Sequence, residues 1–173
     1  MTITHGYIIG QTRSGKSHLA KALTAAISKT GKSVIVHDPT AAQGGRNVNG
    51  WTGAIVCPDF DSFEAAFWQS RNCLVVIDEA PEVFAEQRNR ARRMILRGRH
   101  LGHVVLMIAQ RHTLMDKSAR NQANHLWAFV VDPYDSEELA REWNCDALRQ
   151  CHTLRPRQFI ELPRHGDPKI CQI

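Results

Sequence analysis

The sequence contains no C-x-x-C pair, and its five cysteines (Cys57, Cys73, Cys145, Cys151 and Cys171) are an odd number. That pattern argues against a disulfide framework or a zinc site and makes a reducing compartment the default. No apolar run exceeds six residues, far short of the roughly 20 that a membrane helix needs. The opening MTITHGYIIG lacks the basic flank and apolar core of an export signal, so a soluble, unprocessed chain is expected. Internal repeats and low-complexity tracts are missing too. Aromatic residues are only 7% of the chain and do not interleave with its arginines, which removes support for a base-stacking platform on single strands. At 173 residues there is length for one domain with a real core, and not for a second.

What is present is a modest basic excess, +5 net, which favours anionic partners such as nucleotide phosphates or nucleic acid. Hydrophobic periodicity alternates between strand and helix. Strands are predicted at Ile3–Ile9, Ser33–His37, Ala54–Cys57, Cys73–Ile77, Val104–Ala109, Leu126–Val131 and Gln158–Leu162. Helices are predicted at Ser17–Ser28, Asp59–Gln69, Pro81–Arg97 and Ser136–Trp143. The apolar runs at 73–77 and 104–109 suit central parallel strands buried on both faces. The order implies an α/β domain over residues 1–162, a mainly parallel sheet flanked by helices, followed by a tail at 163–173. Ligands of such sheets bind at the carboxyl ends of the strands.

After the first strand stands Gly10-Gln11-Thr12-Arg13-Ser14-Gly15-Lys16-Ser17, and a helix follows it. This is a complete Walker A loop in its proper context. Its backbone N–H groups, from Gly10 through His18, would converge on ATP phosphates, with Lys16 bridging the β- and γ-phosphates and the Ser17 hydroxyl on Mg²⁺. Leu74-Val75-Val76-Ile77-Asp78-Glu79 reads as the Walker B strand. Asp78 would hold magnesium through water. Glu79 is placed either to polarise the attacking water or to sit as an acid at a helix N-terminus. Gln110, closing the strand 104–109, either meets the γ-phosphate or simply terminates a strand. Catalytic candidates are therefore Glu79, Lys16 and Gln110.

Taken together, these segments resemble the FtsK/HerA branch of P-loop motor ATPases, including viral genome-packaging ATPases. Val36-His37-Asp38-Pro39 is similar to that family's second strand and Asp-Pro pair. Arg99-His100-Leu101-Gly102-His103 followed by Val104–Ala109 and Gln110-Arg111 is similar to its arginine, glycine, apolar strand and Gln-Arg sequence. The resemblance implies a RecA-like (ASCE) core that hydrolyses ATP in a homo-oligomeric ring, commonly a hexamer, and moves double-stranded DNA through it. Small size favours virus packaging, with a capsid or portal vertex protein as partner and the host cytoplasm or virion as location. In two places the chain departs from the family. His125, Leu126 and Trp127 stand where an arginine often precedes the apolar strand, and the Asp-Pro pair lacks a Gly-Glu continuation. Two other readings are a small-molecule P-loop kinase, with Asp38 binding the acceptor, and a filamentous-phage-type assembly ATPase.

Between Glu86 and Arg120 nine basic residues face two acids, a local +7 that leaves the rest of the chain at −2. Three roles fit: a solvated helix face, contact with DNA phosphates, or an arginine finger reaching a neighbouring subunit's γ-phosphate. Arg93, Arg97 and Arg99 are the finger candidates, and Arg111 and Arg120 are not separable from them at this level. Trp51 either tips a loop at the pore or the adenine, or anchors the Gly/Asn-rich stretch 41–53. His100 with His103, and Cys145 with Cys151 and His152, complete no metal constellation.

Overall fold

The computed structural model describes residues 5–173. Of the predicted first strand, Gly6–Ile9 forms β1, while Ile3 and Thr4 lie outside the described residues. The remaining strands are β2 (Val34–His37), β3 (Gly45–Arg46), β4 (Ala54–Cys57), β5 (Leu74–Ile77), β6 (Val104–Ala109), β7 (His125–Ala128), β8 (Gln158–Pro163) and β9 (Lys169–Gln172). They form one sheet in the order β3-β4-β2-β5-β6-β1-β7-β8-β9. The six strands from β4 to β7 run parallel, and β3, β8 and β9 are antiparallel additions at the two edges. Strand β6 pairs with β1 on one side and β5 on the other, so it separates the Walker A strand from the Walker B strand.

Side chains alternate between two buried layers, as the two-residue period of a strand requires. Tyr7, Ile9, Val75, Ile77 and Met107 face one core with Phe63, Phe67, Met94 and Ile95. Ile8, Val34, Val36, Val76 and Ile108 face the other, with Leu19, Ala20, Trp51 and Phe129. The first layer is covered by α2 (Phe60–Gln69), α3 (Ala80–Glu86), α4 (Arg88–Gly98) and α6 (Pro133–Trp143). The second is covered by α1 (Lys16–Ser28). The short α5 (Lys117–Arg120) follows β6. Among the described residues no helix is long and apolar enough to cross a membrane.

Helix starts follow side-chain chemistry. Asp59 caps α2 by accepting from Ser62 N–H, and Asp132 caps α6 by accepting from Asp135 N–H with Pro133 at the first position. That cap begins α6 three residues before the Ser136 expected from periodicity. The expected helix Pro81–Arg97 is instead two, α3 and α4, parted at Gln87 with φ −120° and ψ 30°. Residues 163–173, expected as a tail, carry β9, which pairs with β8 along its whole length.

Candidate functional site

The glycine loop turns directly out of β1. A Cβ on Gly10 would stand 2.5 Å from Phe129 Cβ, so the loop can leave the sheet here only without a side chain. Gly15 has φ +117° and hands the chain to α1, whose first N–H groups have no partner within the helix and form the kind of cradle that suits an anion. Lys16 is buried, and its ammonium donates to the Gln11 carbonyl across the loop at 2.8 Å. Burial lowers its pKa, and the carboxylates of Glu79 and Asp78 work in the opposite direction. Ser17 and His18 follow on exposed positions at the start of α1.

Asp78 and Glu79 leave the carboxyl end of β5. Asp78 Oδ1 accepts from the Glu79 N–H at 3.0 Å. Burial pushes its pKa up to about 6, and the negative charges of Glu79 and Asp38 add to that. Burial and the neighbouring carboxylates disfavour a bare charge at this position, and a proton or a bound cation would relieve it. Asp78 and the Ser17 hydroxyl are the residues that would hold Mg²⁺, and bound there it would supply positive charge to the β- and γ-phosphate oxygens.

Glu79 adopts a left-handed backbone, φ 49° and ψ 44°, a conformation that non-glycine residues enter at an energetic cost and that clusters at functional sites. Gln110 Nε2 donates to both Glu79 oxygens, at 2.9 and 3.0 Å. Thr12 Oγ1 in turn donates to Gln110 Oε1 at 2.9 Å. The amide orientation follows from chemistry: a carboxylate only accepts, so the NH₂ of Gln110 must face Glu79 and its oxygen must face the threonine hydroxyl. The glycine loop, the Walker B acid and the end of β6 are thereby joined through three side chains. Beside them opens a cavity of about 410 Å³ lined by Gln11, Thr12, Gln110, Arg111 and Asp132. Glu79 also stands at the N-terminus of α3 but makes no side-chain cap there.

The segment following Gln110 is tied down by a residue that sequence reading missed. Asp135 is fully buried in α6 and accepts from Arg111 Nε (3.1 Å), His112 N–H (3.1 Å) and Thr113 N–H (3.3 Å). Arg111 also pairs with Asp132 at 3.0 Å, and Arg120 with Glu142 at 3.2 Å. Both arginines, inseparable from the finger candidates in sequence, are engaged within their own chain.

The basic run is neutralised in part. Arg88 and Arg92 face Asp116, and Arg90 faces Asp61 and Glu64. All three acids lie outside the helix that carries the arginines: Asp61 and Glu64 in α2, and Asp116, one of the two acids counted in the run, at the cap of α5. Of the finger candidates, Arg93 lies over the Trp68 ring at 5.3 Å, while Arg97 and Arg99 are exposed. Arg99 precedes the amino end of β6 and Gln110 follows its carboxyl end, so about 20 Å of strand separates them. Neither Arg97 nor Arg99 stands at its own chain's phosphate loop.

Trp51 anchors the long loop. It is wholly buried, and its Nε1–H donates to Asp38 Oδ2 at 2.7 Å. Asp38 also accepts from Asn49 Nδ2, Thr40 N–H and Thr40 Oγ1. Burial works to raise this carboxyl, and the bonds from Thr40, Trp51 and Asn49 outweigh it, holding it below the usual range. With both oxygens occupied in this way, Asp38 is poorly placed as the acceptor-binding acid of a kinase. His103 is buried between Cys73 N–H, from which Nδ1 accepts, and the Phe67 carbonyl, to which Nε2–H donates. Among the described residues no cluster of three or more histidines, cysteines and acids is arranged to hold a metal ion.

The structure is similar to the genome packaging NTPase B204 of Sulfolobus turreted icosahedral virus 2 in complex with AMPPCP. The TM-score is 0.75 at 18% identity, over 98% of this chain and 97% of that one. The two chains share one fold. B204 of Sulfolobus turreted icosahedral virus, a DNA-packaging ATPase, gives 0.76 at 21% identity over 96% of both chains. VirB4 of Thermoanaerobacter pseudethanolicus gives 0.70 at 9% identity, over 98% of this chain and 89% of that one. No protein-family model and no curated protein sequence matches the chain.

Proposed function

We propose that this protein hydrolyses ATP and uses the energy to move double-stranded DNA, as the motor that packages a viral genome. The observation that carries the reading is the Thr12–Gln110–Glu79 chain of hydrogen bonds beside a buried Lys16 and the carboxyl of Asp78. Glycine-loop N–H groups and Lys16 hold the β- and γ-phosphates. Glu79, aimed by Gln110, orients and polarises the water that attacks the γ-phosphate in line. When that phosphate leaves, Gln110 exchanges partners, and the end of β6 and its following loop respond. The ring assembly, its subunit number, and contact with a capsid or portal vertex belong to the same proposal, as does a place in the host cytoplasm or the virion.

Arg93, Arg97 and Arg99 supply the trans-acting charge or the DNA phosphate contact, because the other arginines of the run are paired internally. The likeness to B204 with AMPPCP supports a nucleotide at the glycine loop. The testing experiment is phosphate release by the purified chain with MgATP, with and without long duplex DNA. Release that rises with duplex supports the motor. Transfer of the γ-phosphate to a metabolite instead of water would establish a kinase, and absence of turnover in both conditions would defeat the proposal.

A further inference from the structure

The order of the strands sets the direction in which a nucleotide lies. Asp78 and Glu79 follow β5 and Gln110 follows β6, both on one side of β1. With ATP read at the glycine loop and its γ-phosphate beside Glu79 and Gln110, the nucleoside end would run out over the opposite side, toward β7, β8 and β9.

There a turn from the C-terminal hairpin is fastened to the glycine loop. The Arg157 N–H donates to the Ser14 carbonyl at 3.1 Å, and the Ile173 N–H donates to the Arg157 carbonyl at 3.1 Å. A Cβ on Gly15 would lie 3.1 Å from Ile173 Cδ1 and 3.7 Å from Arg157 Cα. Arg157 is held in a left-handed conformation, φ 66°, and both it and Arg155 are exposed. The Arg157 guanidinium has no ion pair and no hydrogen bond among the described residues, unlike the arginines of α4 that face acids.

We propose that the turn 155–157 with Ile173 is the wall of a nucleoside subsite, and that the Arg157 guanidinium lies on the face of a purine base. This rests on the reading of the glycine loop as an ATP site and extends it to the base. A planar cation over a flat ring is the geometry that arginine supplies and lysine does not, and the latch to Ser14 fixes its distance from the phosphates. Thus the hairpin would report on the base, while Lys16 and the loop read the phosphates alone.

The test is calorimetric titration of the full chain with two magnesium-loaded probes, a non-hydrolysable ATP analogue and inorganic tripolyphosphate. The variants are Arg157→Gly and Arg157→Asn, which both tolerate positive φ. Each is expected to bind the analogue about tenfold more weakly, with tripolyphosphate affinity within about twofold of the parent. Unchanged analogue affinity in both variants overturns the subsite. So does a parallel loss for both probes, which would place Arg157 in the support of the loop. If the parent chain binds neither probe, the ATP reading fails and takes the subsite with it.

Discussion

Asp38 offers a sharp test because its two nearest replacements should behave differently. Its carboxylate accepts four hydrogen bonds, and the donors divide into two groups: Trp51 and Asn49 on Oδ2, and the Thr40 N–H and hydroxyl on Oδ1. In Asp38→Ala, Thr40 and Asn49 are exposed and regain water, but the Trp51 N–H is wholly buried and stays unpartnered. One orphaned buried donor costs about 1–3 kcal/mol. Adding the lost charge-assisted bonds gives a total of about 3–4 kcal/mol. In Asp38→Asn the amide oxygen takes the Trp51 side, the NH₂ turns to Thr40, and the threonine hydroxyl rotates to accept from it. Only the Thr40 N–H bond and the charge are lost, about 1–2 kcal/mol. Urea denaturation reads the difference: with a slope of about 2 kcal/mol/M, the midpoint falls by nearly ~2 M for alanine and by less than ~1 M for asparagine. Equal midpoints for the two variants, or no loss with alanine, would refute the anchoring role. A variant that kept its stability but lost phosphotransfer to a small acceptor would restore the kinase reading.

Three more outcomes follow from the site. Thr12→Val removes the donor that fixes the Gln110 amide at an exposed position, so kcat for ATP should fall about tenfold with KM nearly unchanged, and Thr12→Ser should recover it. An acid whose pKa is raised to about 6 on folding binds a proton in the folded state that the unfolded chain has already lost between about pH 4 and 6. Stability of the metal-free protein therefore declines across that window and is lower above it. Asp78→Asn should be more stable than the parent above pH 6, by up to about 3 kcal/mol, with the difference vanishing below about pH 4 in chelator-treated denaturation curves. Asp135→Ala removes the partner of the buried His112 N–H and of the Thr113 N–H, and one of the two carboxylates that hold Arg111. A stability loss of about 2–3 kcal/mol is expected, with reduced hydrolysis because the segment after Gln110 loses its clamp. A loss under about 0.5 kcal/mol, the range of ordinary surface substitutions, would show that clamp to be dispensable.

The glycine loop, the two acidic residues after β5 and the glutamine after β6 were legible because each is a local pattern, a few residues attached to an apolar run. The central strands were legible for the same reason. What escaped were relations between distant positions. Asp135 and Arg111 are 24 residues apart, and neither neighbourhood advertises the pairing. The arginine run looked like a free cationic face because Asp61 and Glu64 lie on another helix, and only packing brings them to Arg90. Trp51 had an ordinary and an exotic reading, and the structure places it as an anchor through Asp38. The break at Gln87 carries no glycine or proline to announce it, and β9 pairs only after β8 has turned back on the sheet.

Water activated at Glu79 is the claim on which the account depends, and Glu79→Gln isolates it. The two proteins should be compared for MgATP affinity by titration and for phosphate release in the presence of duplex DNA. The variant is expected to hold MgATP about as tightly as the parent while releasing phosphate at least ~100-fold more slowly. Undiminished phosphate release by the variant would contradict the account.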